Sequence, residues 1–140
     1  MATKRKVRKP SSAIQVISPC LWFDSQAEEA ARFYVSVFKK AKITAVTQYP
    51  AVGQEIHGRK PGSVMTVEFV LNGVPFMALN AGPIFKFNEA VSLQVICRTQ
   101  KEIDYYWDKL GEGGDPKARQ CGWLKDKYGL SWQIVPDGMA

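Results

Sequence analysis

The sequence predicts an α+β fold of two tandem βαβββ half-units, which form a curved, mostly antiparallel sheet with helices on its outer face. In the first half a strand-like run at 17–24 precedes a helical stretch at 26–38. In the second half a strand-like run at 91–97 precedes a helical stretch at 100–110. A shift of 73 positions superimposes the apolar stripes of the two helices. Both halves end in a hairpin pattern, and a shift of 56 superimposes these hairpins. Such internal duplication indicates the architecture more strongly than any single motif does.

The helix of the first unit has a recognisable start. Ser25 is placed to cap it, and Glu28 three residues later completes a capping box. Residues 42–49 are rich in β-branched side chains, so we expect a second strand there. The segment 51–62 contains three glycines and a proline and is expected to be a loop.

Both hairpins are marked by a glycine dipeptide. Asn72-Gly73 interrupts an apolar run over 63–80, and Asn-Gly is the strongest short-range hairpin signal. Tyr128-Gly129 interrupts the corresponding run over 123–135. The sequence therefore predicts that each unit closes with two antiparallel strands.

The second unit repeats the first with a shorter middle. Thr99 is the predicted cap of its helix, with Glu102 at the capping-box position. A glycine-rich break at 111–114 ends the helix. The counterpart of the 42–49 strand must then be short, and we expect it near 117–120.

Domain organisation and charge separate the chain into two parts. Residues 1–13 are predicted to be a disordered basic tail, and 14–137 a single domain with half-units at about 14–82 and 90–137. Five of the six net positive charges lie in the tail. The nearly neutral body argues against nucleic-acid binding through the folded domain. The tail is either a solvated segment or a nuclear-import or anionic-surface tag.

The cellular location is predicted from the apolar runs, the N-terminal charge pattern and the cysteines of the sequence. No apolar run approaches the roughly 20 residues of a membrane span, and the charged N-terminus is not followed by the apolar stretch of a secretory signal. The cysteines number three, an odd count without a Cys-x-x-Cys spacing. We therefore expect a cytoplasmic protein without a membrane partner.

Strand alternation predicts which side chains face the helices and which face the opposite, open side of the sheet. The helix-facing set is apolar. The open set mixes aliphatic side chains with amides, as a cavity wall would. The helix-facing set comprises Cys20, Trp22, Phe76, Ala78, Leu93, Val95, Cys97, Trp132 and Ile134, and the open set comprises Pro19, Leu21, Phe23, Met77, Leu79, Ser92, Gln94, Ile96, Gln133 and Val135.

The chain resembles the glyoxalase/bleomycin-resistance/dioxygenase superfamily, also called the vicinal oxygen chelate fold. More closely it resembles the PhnB-like branch, whose members are often labelled 3-demethylubiquinone-9 3-methyltransferase-like. The resemblance rests on PCLWFDSQAEEAARFYVSVF, SVMTVEFVLNGVPFMALNAGP, FKFNEAVSLQV and CGWLKDKYGLSWQIVP. It implies the fold and, because relatives often pair units across subunits, a homodimer. It implies no single activity, because the superfamily includes isomerases, dioxygenases, lyases and pure binders.

The resemblance also shows where a metal would be held. In metal-using relatives each half supplies two ligands, and those places here are Pro19 (or Ser18), Met77, Ser92 and Gln133. Only Gln133 is a credible donor, whereas a catalytic divalent site needs around three imidazole or carboxylate ligands. We therefore expect no metal and no cofactor.

The candidate functional residues follow from the open face and from the titratable groups. Glu68 and His57 are the candidate acid/base residues, although an exposed loop histidine and a solvent-facing glutamate are the alternatives. We expect the chain to bind a small, partly apolar molecule in the concave sheet without a metal. The expected ligand contacts are Phe23, Met77, Asn80, Gln94, Trp123 and Gln133.

Two other activities are the alternatives to binding. The first is a metal-dependent or acid/base isomerase, lyase or dioxygenase of the same superfamily. The second is methyl transfer, for which a nucleotide-type cofactor normally needs a glycine-rich turn after a parallel strand. The glycines at 111–114 follow a helix instead, so the residues do not support the methyltransferase label.

Overall fold

The protein is described by a computed structural model that covers residues 17–53 and 57–138. The predicted basic tail at 1–13 lies outside the described residues. None of the described helices is long and apolar enough to span a membrane. The elements, in chain order, are β1 (Cys20–Phe23), α1 (Ala27–Val37), β2 (Ala41–Gln48), β3 (Val64–Leu71), β4 (Val74–Asn80), β5 (Ser92–Cys97), α2 (Gln100–Gly111), a 3-10 helix (Pro116–Ala118), β6 (Trp123–Lys125) and β7 (Ser131–Pro136).

The predicted α+β fold is confirmed, with one helix packed on the sheet of each unit. The first unit forms a four-stranded sheet in the order β1-β4-β3-β2, and the second a three-stranded sheet in the order β5-β7-β6. In each unit the first and last strands pair in parallel and the remaining pairs are antiparallel. The strands of the two halves thus form two sheets that are not joined by hydrogen bonds.

Both predicted hairpins are present. Asn72 and Gly73 adopt positive φ angles of 48° and 86°, which a tight two-residue turn requires and which these residue types tolerate. Gly129 has a φ of 88° in the turn between β6 and β7. The turn chemistry was therefore sufficient to predict where each unit closes.

The start of α1 differs from the sequence prediction. The residue before the helix is Gln26 rather than Ser25, and its side chain makes no capping hydrogen bond. The side chain of Asn80, from the end of β4, instead accepts a hydrogen bond from the Ala27 N–H at 2.8 Å. A residue 53 positions away in the chain thus does the capping, and local sequence cannot reveal it. The Thr99 cap of α2 is as predicted, because its hydroxyl accepts from the Glu102 N–H at 3.1 Å.

The second unit lacks the short strand that was expected near 117–120. A 3-10 helix stands there, with Pro116 at its start and the Asp115 side chain accepting from the Lys117 N–H at 2.9 Å. A single bridge between Gln120 and Trp123 is the remaining strand-like feature. Proline and a capping aspartate favour a helical turn over an extended strand at this place.

The predicted orientation of β1 is wrong. Leu21 and Phe23, assigned to the open face, are only 7% and 3% exposed, whereas Cys20 is exposed. The parallel pairing with β4 places Leu21 beside the buried Ala78, which fixes the helix-facing side. Alternation predicts that two faces exist, but the register with the neighbouring strand decides which face is buried.

The two units share one hydrophobic core on their helix-bearing sides. The ring of Tyr34 on α1 lies 5.5 Å from that of Trp132 on β7, measured between centroids. The hydroxyl of Tyr105 on α2 donates to the Val37 carbonyl at the end of α1 at 2.6 Å. Because the helix-bearing sides are used in this common core, the open faces of both sheets are turned away from it.

Candidate functional site

The open face of the second sheet brings three predicted ligand contacts together. Gln133 on β7 lies between Gln94 on β5 and Trp123 on β6, which are its register partners in the sheet. Its Nε2 donates a hydrogen bond to the Ser92 hydroxyl at 2.9 Å. This bond orients the amide and leaves its carbonyl oxygen as an acceptor on the face. Trp123 is half-buried and supplies an apolar surface beside that amide.

The open face of the first sheet carries Met77 and Glu68. Met77 on β4 has Cys20 and Glu68 as its register partners on either side. Glu68 is exposed, so its carboxylate is on the open face without being desolvated. Trp22, two residues beyond Cys20 and so on the same face, is half-buried, and its Nε1–H donates to the Gly82 carbonyl at 2.9 Å. The open face therefore combines a thioether, an indole and one carboxylate.

Phe23 and Asn80, both predicted ligand contacts, have structural positions instead. Phe23 is buried on the helix-bearing side, where its ring centroid lies 5.3 Å from that of Phe87. Asn80 is 6% exposed. In addition to capping α1, its Nδ2 donates to the Val64 carbonyl at 3.1 Å. The amide of Asn80 is thus engaged at both ends, and these two residues are removed from the candidate site.

His57, a candidate base, is tied to the backbone through both ring nitrogens. Nδ1 accepts a hydrogen bond from the Arg59 N–H at 2.9 Å, so the proton is on Nε2, which lies 3.2 Å from the Pro50 carbonyl. The ring also packs 4.9 Å from that of Tyr49 between centroids. This arrangement favours a structural role in the loop, and it leaves Glu68 as the candidate acid/base group on the open face.

The positions of the superfamily's metal ligands do not fit a divalent cation. Met77, Ser92 and Gln133 lie on the open faces, and they offer a thioether, a hydroxyl and an amide. The fourth position, Pro19, contributes a backbone carbonyl that accepts from the Met77 N–H at 3.0 Å. A hard cation needs carboxylates or imidazoles. Within 17–53 and 57–138, no three His, Cys, Asp or Glu side chains lie close enough to bind one metal ion.

One buried carboxylate had no place among the sequence predictions. Asp126, in the turn after β6, is 2% exposed. Its Oδ2 accepts from the Tyr34 hydroxyl at 2.6 Å and from the Trp132 Nε1–H at 2.8 Å. Its Oδ1 accepts from the backbone N–H groups of Tyr128 and Leu130 at 2.8 and 3.1 Å. The only local signal is an aspartate just before a Tyr-Gly turn, which is common enough to go unnoticed.

The Asp126 carboxylate connects the two units and perturbs its neighbours. Burial raises the pKa of Asp126, and the four donated hydrogen bonds act against that increase. Burial, together with the adjacent Asp126 carboxylate, raises the pKa of Tyr34 well above its usual value. The pKa of Tyr128 is raised by burial and by the hydrogen bond from its hydroxyl to Glu29. These are features of a structural network between α1 and the last hairpin.

We expect the free energy of unfolding to fall as pH rises above about 10. Tyr34 ionises near 10.0 when exposed, but the folded state retains its proton to higher pH. The unfolded state therefore binds fewer protons in this range, which reduces stability by up to about 1.4 kcal/mol per pH unit. Urea unfolding at a series of alkaline pH values measures this slope. Tyr34→Phe should flatten it, and an unchanged slope in that variant would contradict the assignment.

The fold so described is that of the glyoxalase class. A glyoxylase/bleomycin resistance protein/dioxygenase domain from Frankia sp. EAN1pec superimposes with a TM-score of 0.53 at 12% identity, over 90% of this chain and 95% of that one. Protein PA1353 from Pseudomonas aeruginosa superimposes with a TM-score of 0.66 at 19% identity, over 86% and 98% of the two chains. At these identities the likeness concerns the fold alone.

The chain belongs to the family described as 3-demethylubiquinone-9 3-methyltransferase, whose model matches residues 15–135. A PhnB protein from Bacillus cereus, also named for that methyltransferase, is 37% identical, covers 87% of this chain and 99% of its own, and superimposes with a TM-score of 0.73. The predicted membership of the PhnB-like branch is thereby confirmed. Among curated proteins, none matches the chain.

Proposed function

We propose that the protein binds a small, partly apolar molecule on the open faces of its sheets and holds it without a metal ion. The observation that supports this most directly is the group formed by Gln94, Trp123 and Gln133, adjacent on three neighbouring strands. It pairs an aromatic surface with an amide whose orientation is set by Ser92. Ligand sites typically combine apolar walls with a few placed polar groups.

The proposal includes a second copy of the chain as the other wall of the site. The helix-bearing sides of both sheets are occupied by the shared core, so a single chain presents its open faces to the outside. On β5 the open-face residue Ile96 is 63% exposed. We take this exposed apolar side chain as part of a surface that pairs with a second copy. A homodimer would cover this surface and enclose the ligand between the open faces of two copies.

Binding is favoured here over catalysis. Of the two candidate acid/base residues, only Glu68 lies on an open face, and it is solvent-exposed. The methyltransferase name of the family and of the Bacillus cereus relative is not carried over to this chain. The turns that follow the parallel strands β1 and β5 consist of residues 24–26 and 98–99 and contain no glycine to approach a nucleotide cofactor. A cytoplasmic location, in which the free cysteines stay reduced, completes the proposal.

A fragment screen by ligand-observed NMR tests the binding site. We expect fragments that pair an apolar ring with a hydrogen-bond donor to bind, and Gln133→Leu to weaken them about tenfold by removing one hydrogen bond. Gln100→Leu is the matched control, because Gln100 lies in the first turn of α2, away from the open faces. Equal affinities for both variants, or a screen without hits, would reject the proposal.

The predicted dimer is tested separately by sedimentation equilibrium. We expect the wild-type chain to sediment as a dimer and Ile96→Glu to sediment as a monomer, because the new carboxylate would be buried in the interface without a partner. Val46→Glu is the control. Val46 is similarly apolar and 42% exposed, but it pairs with the buried Val67 and so lies on the opposite side of its sheet. A monomeric wild type, or an Ile96→Glu variant that still dimerises, would contradict the expected interface.

A further inference from the structure

A cavity of about 550 Å3 lies at the seam between the two units. One wall is formed by the segment that follows α1 and by the β3–β4 hairpin, and the other by β5 and the first turns of α2. Small-molecule pockets typically measure about 300–1,000 Å3, so the space is sufficient for an organic ligand. Among the residues predicted to contact ligand, only Gln94 borders this cavity. The open-face residue Ile96 also borders it, whereas Met77, Trp123 and Gln133 do not. The cavity and the open-face site therefore adjoin at the edge strand β5 but have different centres.

The interior of this seam cavity is aromatic. Phe38 at the end of α1 lies 5.1 Å from Tyr106 on α2 and 6.0 Å from Trp132 on β7, measured between ring centroids. Phe76 on β4 completes the lining from the first sheet and is stacked on Phe69 behind it. Ring separations of about 4.5–7 Å are those of favourable aromatic contacts. A flat ring inserted here would find aromatic partners from both units.

The rim of the seam cavity is positively charged on one side. Lys39 and Lys40 follow α1 at the mouth, and both are exposed. The two ion pairs found in the described ranges are Arg32–Glu28 and Lys125–Glu89, so neither rim lysine is paired there. On the opposite wall the carboxylate of Glu102 is already used, since its Oε1 accepts from the Arg98 N–H at 2.8 Å. The rim thus offers two ammonium groups against one engaged carboxylate.

We propose that the seam cavity is a second ligand site, which takes a small aromatic carboxylate. The ring lies among Phe38, Tyr106 and Trp132, and the carboxylate is held at the mouth by Lys39 and Lys40. Each lysine is a point charge at the end of a flexible chain, suited to an anion at a solvent-exposed rim. This inference does not depend on the open-face proposal, because the aromatic rings and the two lysines that hold the ligand here are not part of the open-face site, although Gln94 borders both.

The test compares 2-naphthoate with naphthalene-2-carboxamide, which has the same shape without the charge. We expect the dissociation constant of 2-naphthoate, followed by the NMR signal of the Trp132 indole, to be about five- to tenfold lower than that of the amide. The double variant Lys39→Gln/Lys40→Gln should remove this preference and leave the binding of the amide unchanged. Its thermal unfolding should match the wild type, because both lysines are exposed.

Two matched substitutions, each of which introduces a carboxylate, test where the ligand binds. Val74, 47% exposed, borders the seam cavity, whereas Val46, 42% exposed, does not. Both are exposed strand valines of the first sheet. We expect Val74→Glu to weaken 2-naphthoate binding about fivefold or more through repulsion at the rim, and Val46→Glu to leave it nearly unchanged. The open-face variant Gln133→Leu should also leave it unchanged.

Three results would overturn the inference. The first is equal affinity for 2-naphthoate and the amide, which would remove the role of the lysines. The second is an equal effect of Val74→Glu and Val46→Glu, or loss of binding in Gln133→Leu alone, which would place the probe elsewhere. The third is the absence of any 2-naphthoate binding at millimolar concentration. Equal affinity for the two probes, or no binding of 2-naphthoate, would leave the open-face proposal standing. Loss of binding in Gln133→Leu alone would support it, so the two proposals can fail separately.

Discussion

Asp126→Ala is expected to lower the free energy of unfolding by about 4 kcal/mol or more. The alanine would leave four donors without their acceptor, namely the Tyr34 hydroxyl, the Trp132 indole N–H and two backbone N–H groups. Tyr34 and Trp132 are 1% and 2% exposed, so water cannot readily replace the carboxylate. Each buried polar group left unsatisfied costs about 1–3 kcal/mol. Urea unfolding monitored by tryptophan fluorescence measures the loss.

The controls for this prediction remove one member of the network at a time. Tyr34→Phe deletes one hydrogen bond and leaves the carboxylate with three donors, so we expect a loss of about 1–2 kcal/mol. Glu89→Ala removes an exposed carboxylate that pairs with Lys125 near the same hairpin, and we expect a far smaller loss, because an exposed ion pair contributes little to stability. If Asp126→Ala cost no more than Glu89→Ala, the buried network would not be a main source of stability.

Gly114→Ala is expected to be similarly damaging, with a loss of about 3 kcal/mol. A Cβ atom at this position would overlap the carbonyl oxygen of Lys125 and would lie 3.1 Å from its carbonyl carbon and 3.2 Å from that of Asp126. These are backbone atoms of β6 and of the turn that contains Asp126. The backbone at Lys125 and Asp126 cannot move away without disturbing the pairing of Lys125 with Ser131 and the hydrogen bonds to the Asp126 carboxylate.

Gly111→Ala is the matched control for Gly114. The three heavy atoms nearest to a Cβ atom at Gly111 all belong to the Arg119 guanidinium, which is the far end of a flexible side chain rather than backbone. Gly111 is also the last residue of α2, where alanine has the higher helix propensity. We therefore expect a change of less than about 1 kcal/mol in either direction. Thermal and urea unfolding of the two variants should separate them clearly, and equal losses would mean that the backbone overlap at Gly114 is relieved.

Strand alternation predicted the face on which several candidate residues lie. Met77, Gln94 and Gln133 lie on the open faces, because a two-residue period is an intrinsic property of an extended strand, and Trp123 is the register partner of Gln133. Phe23 was misplaced by one position in that period, which moves a side chain to the other face. Whether any of these residues contacts a ligand stays a prediction.

Several structural roles could not be read from the sequence, because they depend on contacts that a pattern within a short window does not contain. His57 is fixed by the backbone groups of its own loop, and Asn80 by the start of a helix 53 residues earlier in the chain. Asp126 is buried by Tyr34, 92 positions away. The seam cavity exists only where side chains of both units meet. Periodicity and spacing within a short window contain no information on such pairs.

The sequence by itself determined the α+β class, the two repeated units, the positions of the hairpins and the membership of the PhnB-like branch. The first three follow from local patterns, namely apolar periodicity, capping residues and Asn-Gly or Tyr-Gly turns, which act within a few residues. The membership follows from the resemblance of four segments of the chain to that branch. Only the tertiary structure decided that the strands form two separate sheets with one shared core, which face of β1 is buried, and that Asp126 joins the units. Those outcomes depend on register and on packing between distant segments, where burial of apolar surface and satisfaction of buried polar groups select one arrangement from several that the local patterns permit.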